Sequence, residues 1–263
     1  MKILIVAFAI ALLYPLWANG KDPIDVPFLS ELDGTEQRYV IVEAENYTVG
    51  DECNLLIALH GHGSDRWQFI RDSRSECRAA RDFATKLGFI YVSPDYRAKT
   101  SWMGPSAEAD VLQILKILKN QYRIKRTILA GGSMGGTAAL SFAVLHPEMV
   151  DGVIAMNGTA NLEEYDQFQD AISQSFGGTK RQAPEEYRKR SAENFPDRLR
   201  MPIAFTTGGL DRSVPPDSSL RLATTLKNQG APVLHIHQPE GGHSTNYEDA
   251  TKAFSYVWEQ LNR

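Results

Sequence analysis

A hydroxyl, an imidazole and a carboxylate suffice for nucleophilic acyl transfer, and this chain places one of each in a glycine-marked setting. Ser133 sits in GGSMGG, residues 131–136. A serine hydroxyl is a weak nucleophile; it needs a base, and the base needs an orienting carboxylate. Four histidines follow it. His146, in LHPE at a helix end, reads as a capping or surface residue. His235 and His237 alternate along one strand and share a face, but no third metal ligand stands at a recognisable spacing. His243, in PEGGHSTNY, lies in a Gly-rich loop between the last strand and the closing helix, where a base can reach down to the serine. For the carboxylate, Asp211 in TTGGLDRSVPP directly follows a strand. Its competitor, Asp217, opens the next helix, where an acid also suits the helix dipole. Asp211 is preferred because a loop just past a strand can aim its carboxylate along the sheet edge toward His243.

Acyl transfer also needs donors for a developing oxyanion. LHGHGSD, residues 59–65, follows an early strand. Its glycines let the backbone approach a carbonyl oxygen, with the N–H of His62 as one donor and that of Met134, just after the serine, as the other. The competing reading of His60 and His62 is a metal site; the Gly-rich loop favours the oxyanion reading.

These residues need a scaffold, and the elements around them supply one. RTILA (126–130) is a short apolar run that reads as a buried strand, and TAALSFAVLHPE (137–148) has helical spacing and stops at Pro147. Ser133 therefore sits at a strand-to-helix turn. Four glycines there imply a steric constraint, because glycine is costly in regular structure. A phosphate cradle would need a Gly-Lys-Ser/Thr ending, which is absent. Further strands are expected at 38–44, 54–60, 89–93, 153–156, 203–207 and from Pro232 to Gln238. Amphipathic helices fall between them. Alternation of this kind implies an α/β fold with a mostly parallel sheet covered on both faces. Residues 157–199 carry no strand signal and read as an insertion over the edge where ligands enter. Residues 21–37, polar and proline-marked, read as an arm.

The chain has 263 residues, 43% apolar and 23% charged, with a formal charge of −4. That suits one globular domain over 21–263 and argues against nucleic acid as a partner. Residues 1–20 have the three parts of a secretory signal peptide: a lysine, an apolar run and a small-residue ending. Secretion or periplasmic export follows, with no membrane attachment after cleavage. Cys53 opens a strand and Cys77 lies near the start of the following helix. Such an antiparallel unit separates them by ~20 Å at ~3.3 Å per strand residue, beyond the about 7 Å a disulfide spans. Two separate thiols are expected.

With LHGHGSD, GGSMGG, GGLDRSVPP and GGHSTNY in this order, the chain from about Leu55 to its C-terminus resembles the α/β-hydrolases. It is similar to secreted feruloyl and acetyl-xylan esterases, polyhydroxybutyrate depolymerases and the catalytic domain of prolyl oligopeptidases. The resemblance implies a nucleophile elbow at Ser133, a Ser133–Asp211–His243 triad and no cofactor. It implies an ester substrate, small or on a polysaccharide. An exopeptidase or oligopeptidase is the rival enzyme, and a binding protein on a hydrolase scaffold the non-enzyme alternative. For substrate contact, Trp102 and Trp67 are the aromatic candidates. Trp102 is the stronger, because Ser101, Gly104 and Ser106 suit an exposed loop; the opposing reading places it in the core. No signal speaks to oligomeric state.

Overall fold

A computed structural model describes residues 21–263; the proposed signal peptide lies outside them. Eight strands form one sheet in the order β1-β2-β4-β3-β5-β6-β7-β8. They are β1 (Ile24–Leu29), β2 (Glu36–Val42), β3 (Glu52–Leu59), β4 (Ile90–Pro94), β5 (Arg123–Gly132), β6 (Gly152–Met156), β7 (Ile203–Gly208) and β8 (Val233–Gln238). The β1–β2 and β2–β4 pairs are antiparallel; all others are parallel. The helices are α1 (Gln68–Arg71), α2 (Ser75–Leu87), α3 (Pro105–Gln121), α4 (Met134–Leu145), α5 (Gln169–Phe176), α6 (Pro184–Arg190), α7 (Asp217–Asn228) and α8 (Tyr247–Leu261). This is the mostly parallel α/β sheet that the alternation of elements implies, in the α/β-hydrolase arrangement that the resemblance implies.

The sheet has a core on each face. One packs α3, α4 and α7 against β3, β5 and β7 side chains such as Leu55, Leu129 and Phe205. The other packs α2 and α8 through Phe83, Phe89 and Phe254. The central strands are apolar on both faces for that reason. After β3 the chain winds outward to β4, then returns to place β5 on the other side of β3. Loops leaving β3 and β5 thus diverge and open a crevice at their carboxyl ends, where ligands bind in such sheets.

Residues 21–37 are not an arm: Ile24–Leu29 is an edge strand against β2. Pro27 lies within it, which an edge position tolerates because no second neighbour needs its missing N–H. Between β6 and β7 the chain forms α5, α6 and 3₁₀ turns with no strand. Cys53 and Cys77 are separate buried thiols, and burial pushes Cys77 up to about 12.

Candidate active site

At the end of β5 the backbone turns sharply into α4. Ser133 adopts φ 58° and ψ −122°, a conformation that costs an L-residue energy and persists only where surroundings hold it. Its N–H donates to Met156 O at 2.8 Å, and its carbonyl accepts from Thr137 N at 3.0 Å. Two glycines permit the turn. A Cβ on Gly135 would stand 2.0 Å from Leu59 O, and one on Gly131 would stand 2.3 Å from the Gly135 carbonyl carbon. Strand, turn and helix can approach this closely only without those side chains.

The loop after β8 carries His243 to this turn. Its Nε2 is 2.9 Å from Ser133 Oγ, and its Nδ1 is 2.6 Å from Asp211 Oδ2. Asp211 lies just past β7 and is buried. Its Oδ1 accepts two backbone N–H bonds, from Ser213 and Val214, each 2.9 Å. Those bonds fix the carboxylate so that Oδ2 alone faces the imidazole. An Nδ1–H donating to Asp211 leaves Nε2 as a lone-pair acceptor facing the serine hydroxyl. Asp217, by contrast, is exposed in the first turn of α7.

Met134 directly follows the serine at the start of α4, and His62 lies in the loop after β3. The N–H of Met134 is among the first amides of α4, which have no partner within a helix. Neither it nor the His62 N–H donates to another described residue. Both residues are held by Trp102. Its indole N–H donates to His62 Nδ1 at 3.1 Å, and its backbone N–H donates to Met134 Sδ at 3.4 Å. Burial lowers the His62 pKa, in keeping with an Nδ1 that accepts.

The expectation that Trp102 offers its face to substrate is therefore corrected: it is 0% exposed. Its loop is small-residued because it is covered. A Cβ on Gly104 would lie 2.3 Å from the backbone oxygen of Ser175 in α5. Trp67 is half-buried, with the Arg71 guanidinium 3.6 Å from its ring centroid. His60 is buried, with ring nitrogens near Gly61 O and Asp95 O. His235 and His237 both meet Thr207 Oγ1, at 2.7 and 2.9 Å. His146 contacts Glu108 at 2.8 Å. Among the described residues no group of three or more His, Cys, Asp or Glu is arranged to hold a metal.

The segment between β6 and β7 supplies residues that sequence reasoning missed. Phe168, 40% exposed, lays its ring 4.4 Å from that of His62 and 5.6 Å from that of Trp102. Tyr165 donates to Ser213 O in the acid loop at 2.8 Å. Two aromatic residues in the polar run EEYDQFQD were the available signal. The segment is anchored by Arg190, whose side chain is fully buried. Its guanidinium pairs with Glu186 and with Glu108 of α3, and its Nε donates to Met103 O at 2.5 Å.

Residues 76–262 match the model of the prolyl oligopeptidase family. No curated protein matches the chain. Among solved structures, fluorophosphonate-binding serine hydrolase F of Staphylococcus aureus is similar, with a TM-score of 0.70 and 15% identity, covering 93% of this chain and 100% of that one. An S-formylglutathione hydrolase from Agrobacterium tumefaciens gives 0.70 and 15%, covering 93% and 96%. An acylaminoacyl peptidase of Pyrococcus horikoshii gives 0.71 and 17%, covering 93% of this chain but only 42% of that one.

Proposed function

The chain belongs to the prolyl oligopeptidase family and is a serine hydrolase; on that footing we propose that it cleaves carboxylic esters, acyl or feruloyl, on polysaccharide outside the cytoplasm. The observation that carries its acyl-transfer chemistry is the unbroken hydrogen-bonded line from Ser133 through His243 to Asp211; the ester preference rests on the resemblance of the four motifs to secreted esterases.

In this reading His243 Nε2 takes the proton of Ser133 as Oγ attacks the ester carbonyl. The amides of His62 and Met134 receive the oxyanion, each worth roughly 3 kcal/mol of barrier. Asp211 fixes the imidazole tautomer and stabilises its cationic form. The imidazolium then protonates the departing alcohol, leaving an acyl-serine that water clears. The exposed ring of Phe168 beside His62 suits a substrate with a flat aromatic or sugar face. Export rests on the signal-like composition of residues 1–20.

The rival reading, a serine exopeptidase, draws on one feature. A cavity of about 430 Å³ beside the acid loop is lined by Glu164, Asp166 and Asp217; Glu164 and Asp166 pair with Arg221 and Lys180, which leaves Asp217 to attract a free amine. A panel of aryl acetates, methyl ferulate and aminoacyl-anilides separates the two. Ester turnover should dominate and vanish in Ser133→Ala with the melting curve retained. Anilide turnover above ester turnover would replace this reading with the rival. Near wild-type activity in Ser133→Ala would remove the nucleophile.

A further inference from the structure

Gly131 and Gly135 are demanded by backbone contacts, but Gly132, between Gly131 and the serine, is not. A Cβ there would meet nothing closer than Glu76 Cγ at 3.7 Å. The missing methyl leaves room in a cavity between the elbow and the start of α2, lined also by Gln68, Ser133, Asn157 and His243. Its water-accessible space is about 40 Å³; one water needs roughly 10–15 Å³. A few waters fit, and a sugar or aromatic ring does not.

The walls are built to hold water. Asn157, 6% exposed, stands at the end of β6 with φ 49°. Its Oδ1 accepts from Thr245 Oγ1 at 2.5 Å, while its Nδ2 has no partner among the described residues. Buried amide groups are almost always satisfied by protein or by ordered water. Gln68 is held likewise: its Oε1 accepts Gly61 N–H at 2.6 Å.

We infer that this cavity is a water site that feeds the second half of the reaction, an inference that rests on the esterase reading above. The departing alcohol takes its proton from His243 Nε2. The incoming water must give its proton to the same atom, and His243 and Ser133 both line this cavity. The water oxygen forms a bond to the acyl carbon and the acyl carbon–Ser133 Oγ bond breaks. The water proton passes to His243 Nε2 and then to Ser133 Oγ, releasing the carboxylic acid. Asn157 donates to the water oxygen and aims it.

The test is how the acyl-enzyme divides between water and an alcohol too large for the cavity. With p-nitrophenyl acetate and benzyl alcohol, acetate and benzyl acetate are measured together with the nitrophenol burst. Gly132→Ala puts a methyl into the cavity, and Asn157→Asp keeps the bond from Thr245 while replacing the donor by an acceptor. Both should shift the product ratio toward benzyl acetate by about tenfold, with the burst rate within about twofold of wild type. An unchanged ratio in both overturns the inference. If Gly132→Ala slows the burst as well, the elbow has been disturbed, and the ratio in Asn157→Asp decides alone. If the wild type shows no burst and Ser133→Ala retains turnover, the esterase reading fails instead.

Discussion

Replacing Asp211 by asparagine alters one atom and few contacts, yet the surroundings dictate which way the new amide must lie. Oδ1 of Asp211 accepts N–H bonds from Ser213 and Val214. An asparagine placing its NH₂ there would set donor against donor at both N–H groups and leave the buried one of Val214 unsatisfied, at about 1–3 kcal/mol. The amide therefore keeps its oxygen toward those N–H groups and turns its NH₂ toward His243 Nδ1, now 2.6 Å from Asp211 Oδ2. That forces Nδ1 to accept and moves the imidazole proton to Nε2. His243 then faces Ser133 as a donor and cannot take the hydroxyl proton. Loss of the correct tautomer costs roughly 10⁴-fold in kcat, or about 5.5 kcal/mol of barrier. Both backbone bonds survive, so the melting temperature should move little. The assay is p-nitrophenyl acetate turnover beside a thermal melt, with Asp217→Asn as the control. A kcat for Asp211→Asn within tenfold of wild type, or equal losses in the two variants, refutes the reasoning.

Trp102→Ala should lose about 3–5 kcal/mol of stability, as large buried aromatics do, seen as a fall in denaturant midpoint. Trp102→Phe should keep most of that stability but lower kcat more than it raises KM, because the bond to His62 is gone. Phe168→Ala, at the surface, should raise the KM of an aromatic or sugar ester by about tenfold, equivalent to ~1.4 kcal/mol of contact, with an unchanged melt. Burial holds His235 down at about 4, below its ordinary value near 6.5. Its contribution to stability is thus complete above pH 6.5 and falls as pH drops toward 4, because the unfolded chain takes up the proton first. Roughly 1–2 kcal/mol is at stake once screening of a half-buried ring is allowed for, and His235→Gln should flatten that part of a stability–pH curve.

The residues legible in the sequence are those fixed by local grammar. Ser133 is marked by glycines whose absence of side chains the turn requires, and Asp211 and His243 by loops just past strands. Trp102 was misread because small neighbours imply either exposure or a tight cover, and only tertiary packing separates them; here α5 presses on Gly104. β1 was hidden by Pro27, because a proline argues against a strand even where Ile24, Val26 and Phe28 alternate around it. Phe168 and Asn157 lie in or beside a segment without periodicity, so nothing local says which way they face.

Arg190 has a consequence for how this site can change. Swinging the 157–199 segment away from the mouth would strip a buried guanidinium from the Glu108 carboxylate and the Met103 carbonyl at once, and breaking a buried pair of that kind is strongly destabilising. The aperture is a fixed frame, and substrate range is set by the side chains mounted on it. Selection for new specificity should therefore gather substitutions at 163–168, on the rim, and leave Glu108, Glu186 and Arg190 untouched. Random libraries would find inactive, poorly folded variants at those three positions and altered preference at the others.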